Sequence, residues 1–259
     1  MKHKQQRRGR NIRITVAYDG SDFYGWQVQK TGRTVQGEIE ASLERMHGHP
    51  LRIQGAGRTD SGVHATGQVA NFFSDLDSIP ADKFREALNS YLPPDIRVMH
   101  SSEAPAEFNA KNSARMRIYG YNLYDAMVGY PHLRRYCWKI RFRPNIENLN
   151  RMAACLVGER DFTTFAAAGD ASKSRIRKVH SAHFFPSGPY LVFRVAASSF
   201  LWKMVRSFLG TIMELEQNGL GPDIMREILE AKDRARAGST APARGLFLER
   251  IVYDDDAPC

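Results

Sequence analysis

The chain has 259 residues, of which 42% are hydrophobic and 25% charged, a composition typical of folded globular proteins. It contains no apolar run near the ~20 residues of a membrane span, and its polar, basic start (residues 1–10) does not have the pattern of a secretory signal. The net charge of +9 favours a polyanionic partner, and the three scattered cysteines predict free thiols in a reducing compartment.

The first part of the chain predicts the order strand, helix, strand, strand, helix, strand. Apolar residues recur with period two in the predicted strands and at helical spacing in the predicted helices. The first helix begins at an N-cap, Thr34, and ends at Gly48. The predicted elements are a strand at 13–18, a helix at 34–48, strands at 51–53 and 68–73, a helix at about 80–92 and a strand from 96. This order is that of the split βαβ, or ferredoxin-like, arrangement.

The second part repeats this α+β pattern loosely. Its predicted elements are strands at 116–123 and 136–140, a helix around 149–157, strands at 176–185 and 190–196, helices at about 199–217 and 224–231, and a strand at 247–252. A polar stretch with a proline at 105 interrupts the pattern between the two parts. We therefore predict an N-terminal α+β domain at residues 1–105 and a C-terminal α+β domain at residues 106–259.

The most informative segment is residues 55–69, GAGRTDSGVHATGQV, which places Asp60 in a glycine-punctuated turn two residues after Arg58. A carboxylate in such a turn suits a nucleophile or a base, but Asp followed by Ser-Gly is also good turn chemistry. The segment lacks the lysine and hydroxyl of a phosphate-binding loop, and a dinucleotide fingerprint would need a glycine at Asp60. No second acid or pair of Cys or His residues with metal-ligand spacing accompanies it.

Five blocks of the chain together resemble one family. The segment around Asp60 matches the pattern R-T-D-x-G-V-H of the tRNA pseudouridine synthases, specifically of the tRNA pseudouridine synthase A family. The other matches, in family order, are YDGSDFYGWQ at 18–27, RIYGY at 117–121, MVR at 204–206 and GLFL at 245–248. The blocks span nearly the whole chain. Ser61, where many members have alanine, and Trp202-Lys203, where polar residues or histidine are frequent, depart from the pattern.

This resemblance implies a fold and an activity. The fold would be two ferredoxin-like halves with antiparallel sheets joined side by side around a central cleft. The activity would be isomerisation of uridine to pseudouridine at positions 38–40 of the tRNA anticodon stem-loop. The resemblance also implies a cytoplasmic homodimer that binds tRNA, with no cofactor and no metal. Three groups are basic: an N-terminal arm (residues 2–13), residues 134–143 and residues 173–178. Each could contact RNA or be only a solvated face or a disordered tail, and for the N-terminal arm we favour the second alternative.

The resemblance further implies that Asp60 is the nucleophile, which attacks either the ribose anomeric carbon or C6 of the base. Arg206, in the MVR block, is the candidate cation beside it. From the sequence alone, Arg206 would lie on the polar side of its helix, where an arginine is usually only solvated.

Four more residues receive roles from the matching blocks. Arg58 would help to extrude the target nucleotide, or it would contact phosphate or pair with Asp60. Tyr119 would stack on the flipped uracil and could help to move the C5 proton, and Leu246 would form an apolar wall beneath the base. Without the resemblance these two would be a strand tyrosine and a core leucine. His64 has either a structural or an RNA-contact role.

Two rival functions stay open at this stage. Ferredoxin-like halves also occur in modules that bind RNA without reacting with it. A different RNA-modifying enzyme, such as a hydrolase with Asp60 as its base, would carry the same residues.

Overall fold

The protein has an α+β fold in a computed structural model that describes residues 9–125 and 129–254. Residues 2–8 of the predicted basic arm, together with Asp255, Asp256 and Cys259, lie outside the described residues. The elements are β1 (Arg10–Tyr18), α1 (Val35–His47), β2 (Gln54–Gly55), β3 (His64–Ser74), α2 (Phe84–Tyr91), β4 (Ile96–Glu103), β5 (Met116–Asp125), β6 (Trp138–Ile140), α3 (Ile146–Ala154), β7 (Gly158–Asp161), β8 (Ile176–Ser187), β9 (Tyr190–Ala197), α4 (Met204–Gln217), α5 (Pro222–Glu230) and β10 (Leu246–Val252).

The chain divides into two compact units. The first comprises the residues up to Arg115 together with those from Leu248 onward, and the second is Met116–Phe247. The division thus falls at 115/116, whereas the sequence prediction places it at 105. The last strand returns to the first unit because it lies next to β3, where Thr66 Oγ1 donates to Glu249 O (3.4 Å). A pairing so distant along the chain leaves no local signal in the sequence.

The first unit packs its two helices with a sheet of order β4-β1-β3, in which β1 is antiparallel to both neighbours. Strand β2 is antiparallel to β3, with Gln54 opposite Asn71. Alternate residues of β1 are fully buried, as the period of two predicts. Helix α1 begins and ends where predicted: Thr34 Oγ1 accepts the Gly37 N–H (3.3 Å), and Gly48 closes the helix in the left-handed region (φ 74°).

The second unit has the strand order β7-β8-β9-β5, with β6 parallel to β5. Helix α4 is its most buried helix, because one face is covered by aromatic rings. The Phe208 ring lies 5.3 Å from Phe162 and 4.9 Å from Phe165, measured between centroids. This packing fixes the position of α4, which carries Arg206.

Three elements differ from the sequence prediction. Helix α4 begins at Met204 instead of near Ser199, because Lys203 has a left-handed backbone (φ 60°) that a helix cannot continue. Strand β2 covers only Gln54–Gly55 instead of residues 51–53. Strand β7 was not predicted, because its four residues are polar or charged and show no apolar alternation.

Candidate active site

Asp60 lies in the loop between β2 and β3 in the first unit. Its side chain is half-buried, while Thr59, just before it, is buried. The loop closes on itself through the Val63 N–H, which donates to Asp60 O (3.1 Å). The carboxylate therefore stands on a backbone that is fixed at both sides.

The YDGSDFYGWQ block holds this loop in place. The hydroxyl groups of Tyr18 and Thr59 are hydrogen-bonded (2.7 Å), and the Trp26 N–H donates to Thr59 O (3.2 Å). Phe23 O accepts the Gly62 N–H (3.3 Å). Burial raises the pKa of Tyr18 well above the ordinary value, although its bonds to polar neighbours oppose the shift. Tyr18 therefore stays a neutral phenol, and the two matching blocks of the first unit form one structure.

Gly25 is required where this block passes the loop. Its φ of +84° is in the left-handed region, and a methyl group there would lie 2.5 Å from Thr59 O. The close approach explains why glycine stands at this position.

His64 is fully buried at the start of β3. Its Nδ1 accepts the Gly20 N–H (3.0 Å), so the proton of the neutral ring is on Nε2. Asp19 Oδ1 lies 3.2 Å from the same nitrogen, but an Nδ1 that accepts a hydrogen bond cannot donate one to a carboxylate. These contacts favour the structural alternative for His64, which ties the block at residues 18–27 to β3.

Arg58 is exposed on the same loop, so its guanidinium is accessible to a ligand. The backbone just before Arg58 is fixed by a hydrogen bond, which Gln68 Nε2 donates to Gly57 O (2.8 Å). Gln68 is itself fully buried on β3. Arg58 is therefore an exposed, charged side chain on a fixed backbone.

The other three candidates belong to the second unit. Tyr119 lies on β5 opposite Val195, is 8% exposed, and meets the Phe200 ring edge-on at 5.2 Å. Arg206 lies in the first turn of α4 and is half-buried. Its Nε donates to Ala241 O (2.8 Å), and the Ala241 N–H donates to Arg206 O (3.0 Å). Arg206 is therefore anchored to Ala241 by one side-chain and one backbone hydrogen bond and is not the solvated helix residue that its wheel position suggests.

Tyr121 organises this region, and the sequence analysis gave it no role. It lies two residues after Tyr119 and so on the same face of β5, and it is fully buried. Its hydroxyl donates to Pro242 O (2.7 Å). Burial raises its pKa far above the ordinary value, while the charges of Arg206 and Arg244 oppose the shift. The signal that could have found it is its place inside the RIYGY block.

The segment that Tyr121 contacts leads to Leu246, which is 5% exposed at the start of β10. The same segment crosses α4 at Gly210, where a methyl group would overlap the carbonyl oxygen of Ser239. Thr211 Oγ1 also accepts the Gly238 N–H (2.9 Å). Residues 238–246 are therefore fixed against α4 and β5, and they connect Arg206 to Leu246.

The predicted basic groups within the described residues differ in exposure. The Lys and Arg side chains of the cluster at residues 134–143 are exposed, and in the cluster at 173–178 Arg175 forms an ion pair with Asp170 (2.5 Å). Among residues 9–125 and 129–254, no set of three or more His, Cys, Asp or Glu side chains is placed to hold a metal ion. The helices of the same residues are all too short or too polar to cross a membrane.

Comparisons with known proteins point to one family. A family model described as "tRNA pseudouridine synthase" matches residues 14–111 and 152–254. The tRNA pseudouridine synthase A of Treponema denticola is 47% identical over 95% of this chain and 94% of its own length. Those of Moorella thermoacetica (43% identity, 93% of this chain, 99% of the relative) and Brachyspira hyodysenteriae (40%, 95%, 99%) are similar over the same span.

Proposed function

Since the chain belongs to the tRNA pseudouridine synthase family and is therefore an isomerase that acts on tRNA, we propose that it converts uridine to pseudouridine at positions 38–40 of the anticodon stem-loop, with Asp60 as the nucleophile. The observation that carries the proposal is the fixed loop of Asp60, whose flanking residues are bonded to a second block of the same unit. A nucleophile held in this way loses little entropy when it attacks.

The reaction needs a group that holds uracil or ribose while a C–N bond is exchanged for a C–C bond. In one route the Asp60 carboxylate bonds to ribose C1′ and the electron pair of the glycosidic bond leaves with uracil N1. In the other route the carboxylate adds to C6 of the base, the electron pair of the C5–C6 double bond moves toward C5 and O4, and the C1′–N1 bond then breaks so that the base can turn. Either adduct splits one difficult step into two easier ones. After the base turns, C5 bonds to C1′, the bond from Asp60 to C1′ or C6 breaks, C5 loses its proton and N1 takes one up, so the reaction is a net isomerisation.

The other side chains would serve this reaction in distinct ways. Arg206 is the cation that keeps the carboxylate ionised, and the hydrogen bond from its Nε to Ala241 O fixes the guanidinium. Tyr119 stacks on the extruded uracil and helps to move the C5 proton, while Leu246 forms the apolar wall. Arg58 helps to extrude the nucleotide, since a planar guanidinium can occupy the vacated stack. His64 positions the loop.

The finer architecture is part of the proposal. The strand order β4-β1-β3 with β2 beside β3 supports a ferredoxin-like arrangement for the first unit. For the second unit the support is the alternation of antiparallel strands with α3 and α4. We place a central cleft between two such halves on the family resemblance alone.

Assembly and location follow from the same reasoning. A homodimer would join separate basic clusters into a surface wide enough for tRNA, and full activity from a monomer at nanomolar concentration would contradict it. The cytoplasm is a reducing compartment, which suits the buried free thiols of Cys137 and Cys155. Burial raises the pKa of both thiols, so they are poorly reactive.

The test is incubation of the purified protein with unmodified tRNA and no added cofactor, followed by mapping of pseudouridine at each position. We expect conversion at positions 38–40 with an intact chain and no change in mass. Conversion elsewhere would overturn the proposed target, and a cleaved chain or a mass change would favour a hydrolase. Binding without any conversion would favour an RNA-binding module.

A further inference from the structure

Trp202 is an exposed aromatic side chain close in the chain to buried residues. It is 46% exposed, whereas Leu201 just before it and Met204 two residues after it are 3% and 0% exposed. It lies in the turn that precedes α4, within the second unit. An indole ring exposed to this degree forgoes the free energy that burial of its apolar surface would contribute to folding. A role in binding would account for its position.

The turn holds Trp202 rigidly. Its backbone N–H donates to the carboxylate of Asp170, and its carbonyl accepts the Ala167 N–H (3.0 Å). The ring lies against the backbone of Gly169, where a methyl group would come within 2.9 Å of a ring carbon. Asp170 is in turn fixed by Arg175 (2.5 Å). The ring is therefore a preorganised surface.

Positive charge accompanies this ring. Lys203 Nζ lies 4.7 Å from the Trp202 ring centroid, and the Lys203 backbone is held in the left-handed region that favours glycine. A non-glycine residue in that conformation stores strain, which clusters at functional sites. Lys173 and Lys178 are exposed in the basic cluster at residues 173–178, to which Arg175 also belongs. An aromatic ring beside a lysine ammonium suits an unpaired nucleotide, whose base stacks while its phosphate is neutralised.

The ring is also close to candidate site residues of the same unit. Phe200, which contacts Tyr119 at 5.2 Å, precedes Trp202 by two residues, so their Cα atoms lie within about 7.6 Å. Arg206 follows Trp202 by four residues. A nucleotide that brings its base to Tyr119 therefore brings its neighbour in the strand within reach of Trp202.

We propose that Trp202 stacks on the unpaired base that flanks the target uridine in the tRNA, and that Lys203 contacts the adjoining phosphate. This inference rests on the proposed function, because the target uridine defines which base is meant. The platform binds and positions the RNA and takes no part in bond exchange.

The test compares Trp202→Ala with Trp202→Phe, and uses Tyr91→Ala as the matched control because Tyr91 is 43% exposed on α2 in the first unit. Stacking predicts that Trp202→Ala raises KM for the tRNA roughly 5- to 100-fold with kcat little changed. Trp202→Phe, which keeps a ring, should stay within about threefold of the wild type, and Tyr91→Ala should not differ from it. Equal KM for Trp202→Ala and the wild type would overturn the proposal.

A second measurement does not depend on how well Trp202→Ala folds. The wild type and Trp202→Phe are assayed on anticodon stem-loops with an abasic nucleotide on either side of the target uridine. We expect one of the two abasic substrates to raise the KM of the wild type and of Trp202→Phe by a similar factor, because both proteins keep the ring and that substrate lacks the base that stacks on it. Unchanged KM on both abasic substrates would overturn the proposal.

The outcomes separate this inference from the proposed function. If the wild type forms no pseudouridine, the proposed function fails. If the wild type forms it normally and neither Trp202→Ala nor the abasic substrates change KM, only the stacking platform fails. Dissociation of an oligomer in Trp202→Ala, measured by sedimentation, would assign the ring to contact with a second copy of the chain and would also overturn the proposal.

Discussion

The Asp60 loop and the Arg206 region are fixed in opposite ways. The loop is held by side-chain and backbone hydrogen bonds to a block about 40 residues earlier in the chain. Two short motifs therefore determine the conformation of the loop. Arg206 is held by residues of β5, α4 and the segment 238–246, which are distant in sequence. A compact motif can therefore identify the first region, while the second is defined by packing.

The largest expected effect in this contrast comes from Gly210→Ala. The added methyl group overlaps Ser239 O, so the segment that anchors Arg206 must move. We expect a loss of about 3 kcal/mol in unfolding free energy and, since a small misplacement of a site can be costly, about a 100-fold loss of kcat/KM. Denaturant unfolding and tRNA conversion measure the two effects.

The control for that variant is Gly221→Ala, whose methyl group would make only an ordinary contact with Asn148 Oδ1 (3.5 Å). It should cost less than about 1 kcal/mol and leave conversion unchanged. Equal activity of the two variants would show that the segment does not hold the site.

The next effect comes from Gly25→Ala in the first unit. Both the positive φ and the contact with Thr59 O oppose a methyl group. We expect a loss of about 2–3 kcal/mol and roughly tenfold lower kcat/KM, because the Asp60 loop must shift. Gly48→Ala isolates the backbone cost, since Gly48 also has positive φ (74°) but would meet no atom within 4 Å.

Gly48→Ala should therefore lose only about 1–2 kcal/mol, with normal conversion. If Gly48→Ala and Gly25→Ala were equally active, the approach of Gly25 to the loop would have no role in positioning Asp60.

A smaller effect is expected from Tyr121→Phe, which removes the hydrogen bond to Pro242 O. The loss should be about 1–2 kcal/mol, with kcat/KM reduced several-fold, because Pro242 follows the residue that anchors Arg206. Tyr253→Phe is the matched control: it loses a buried hydrogen bond of the same length (2.7 Å) to Ala110 O in the first unit. Its stability should fall equally and its activity should not, and equal activity of both variants would exclude a positioning role for Tyr121.

The smallest effect is on the pH dependence of stability. Burial raises the pKa of Tyr121 in the folded protein, so the folded state keeps a proton that the unfolded chain loses near pH 10. The contribution of the protonated Tyr121 to the unfolding free energy is fully present below pH ~10. It falls as pH rises beyond that value, by about 1.4 kcal/mol per pH unit for one group. Tyr121→Phe should flatten the alkaline decline of the unfolding free energy, and an unchanged slope would contradict this.

The sequence predicted what local chemistry determines. Thr34 and Gly48 are cap residues, and they placed the ends of α1 correctly. The start of α4 was wrong because nothing in the identity of Lys203 signals a left-handed backbone. Tyr121, Gly210 and the return of β10 to β3 were missed or misplaced since each depends on contacts between distant segments. The motifs identified the candidate site residues, whereas only the structure identified the residues that hold them in position.

The most direct test of the account is conversion of tRNA by Asp60→Asn, with Asp77→Asn as the control because the Asp77 side chain is 89% exposed. Asparagine keeps the shape of the side chain but is a far poorer nucleophile than the carboxylate. We expect Asp60→Asn to bind tRNA with nearly normal affinity while pseudouridine formation falls by about 10⁴-fold or more, and Asp77→Asn to behave as the wild type. Substantial pseudouridine formation by Asp60→Asn would contradict the account.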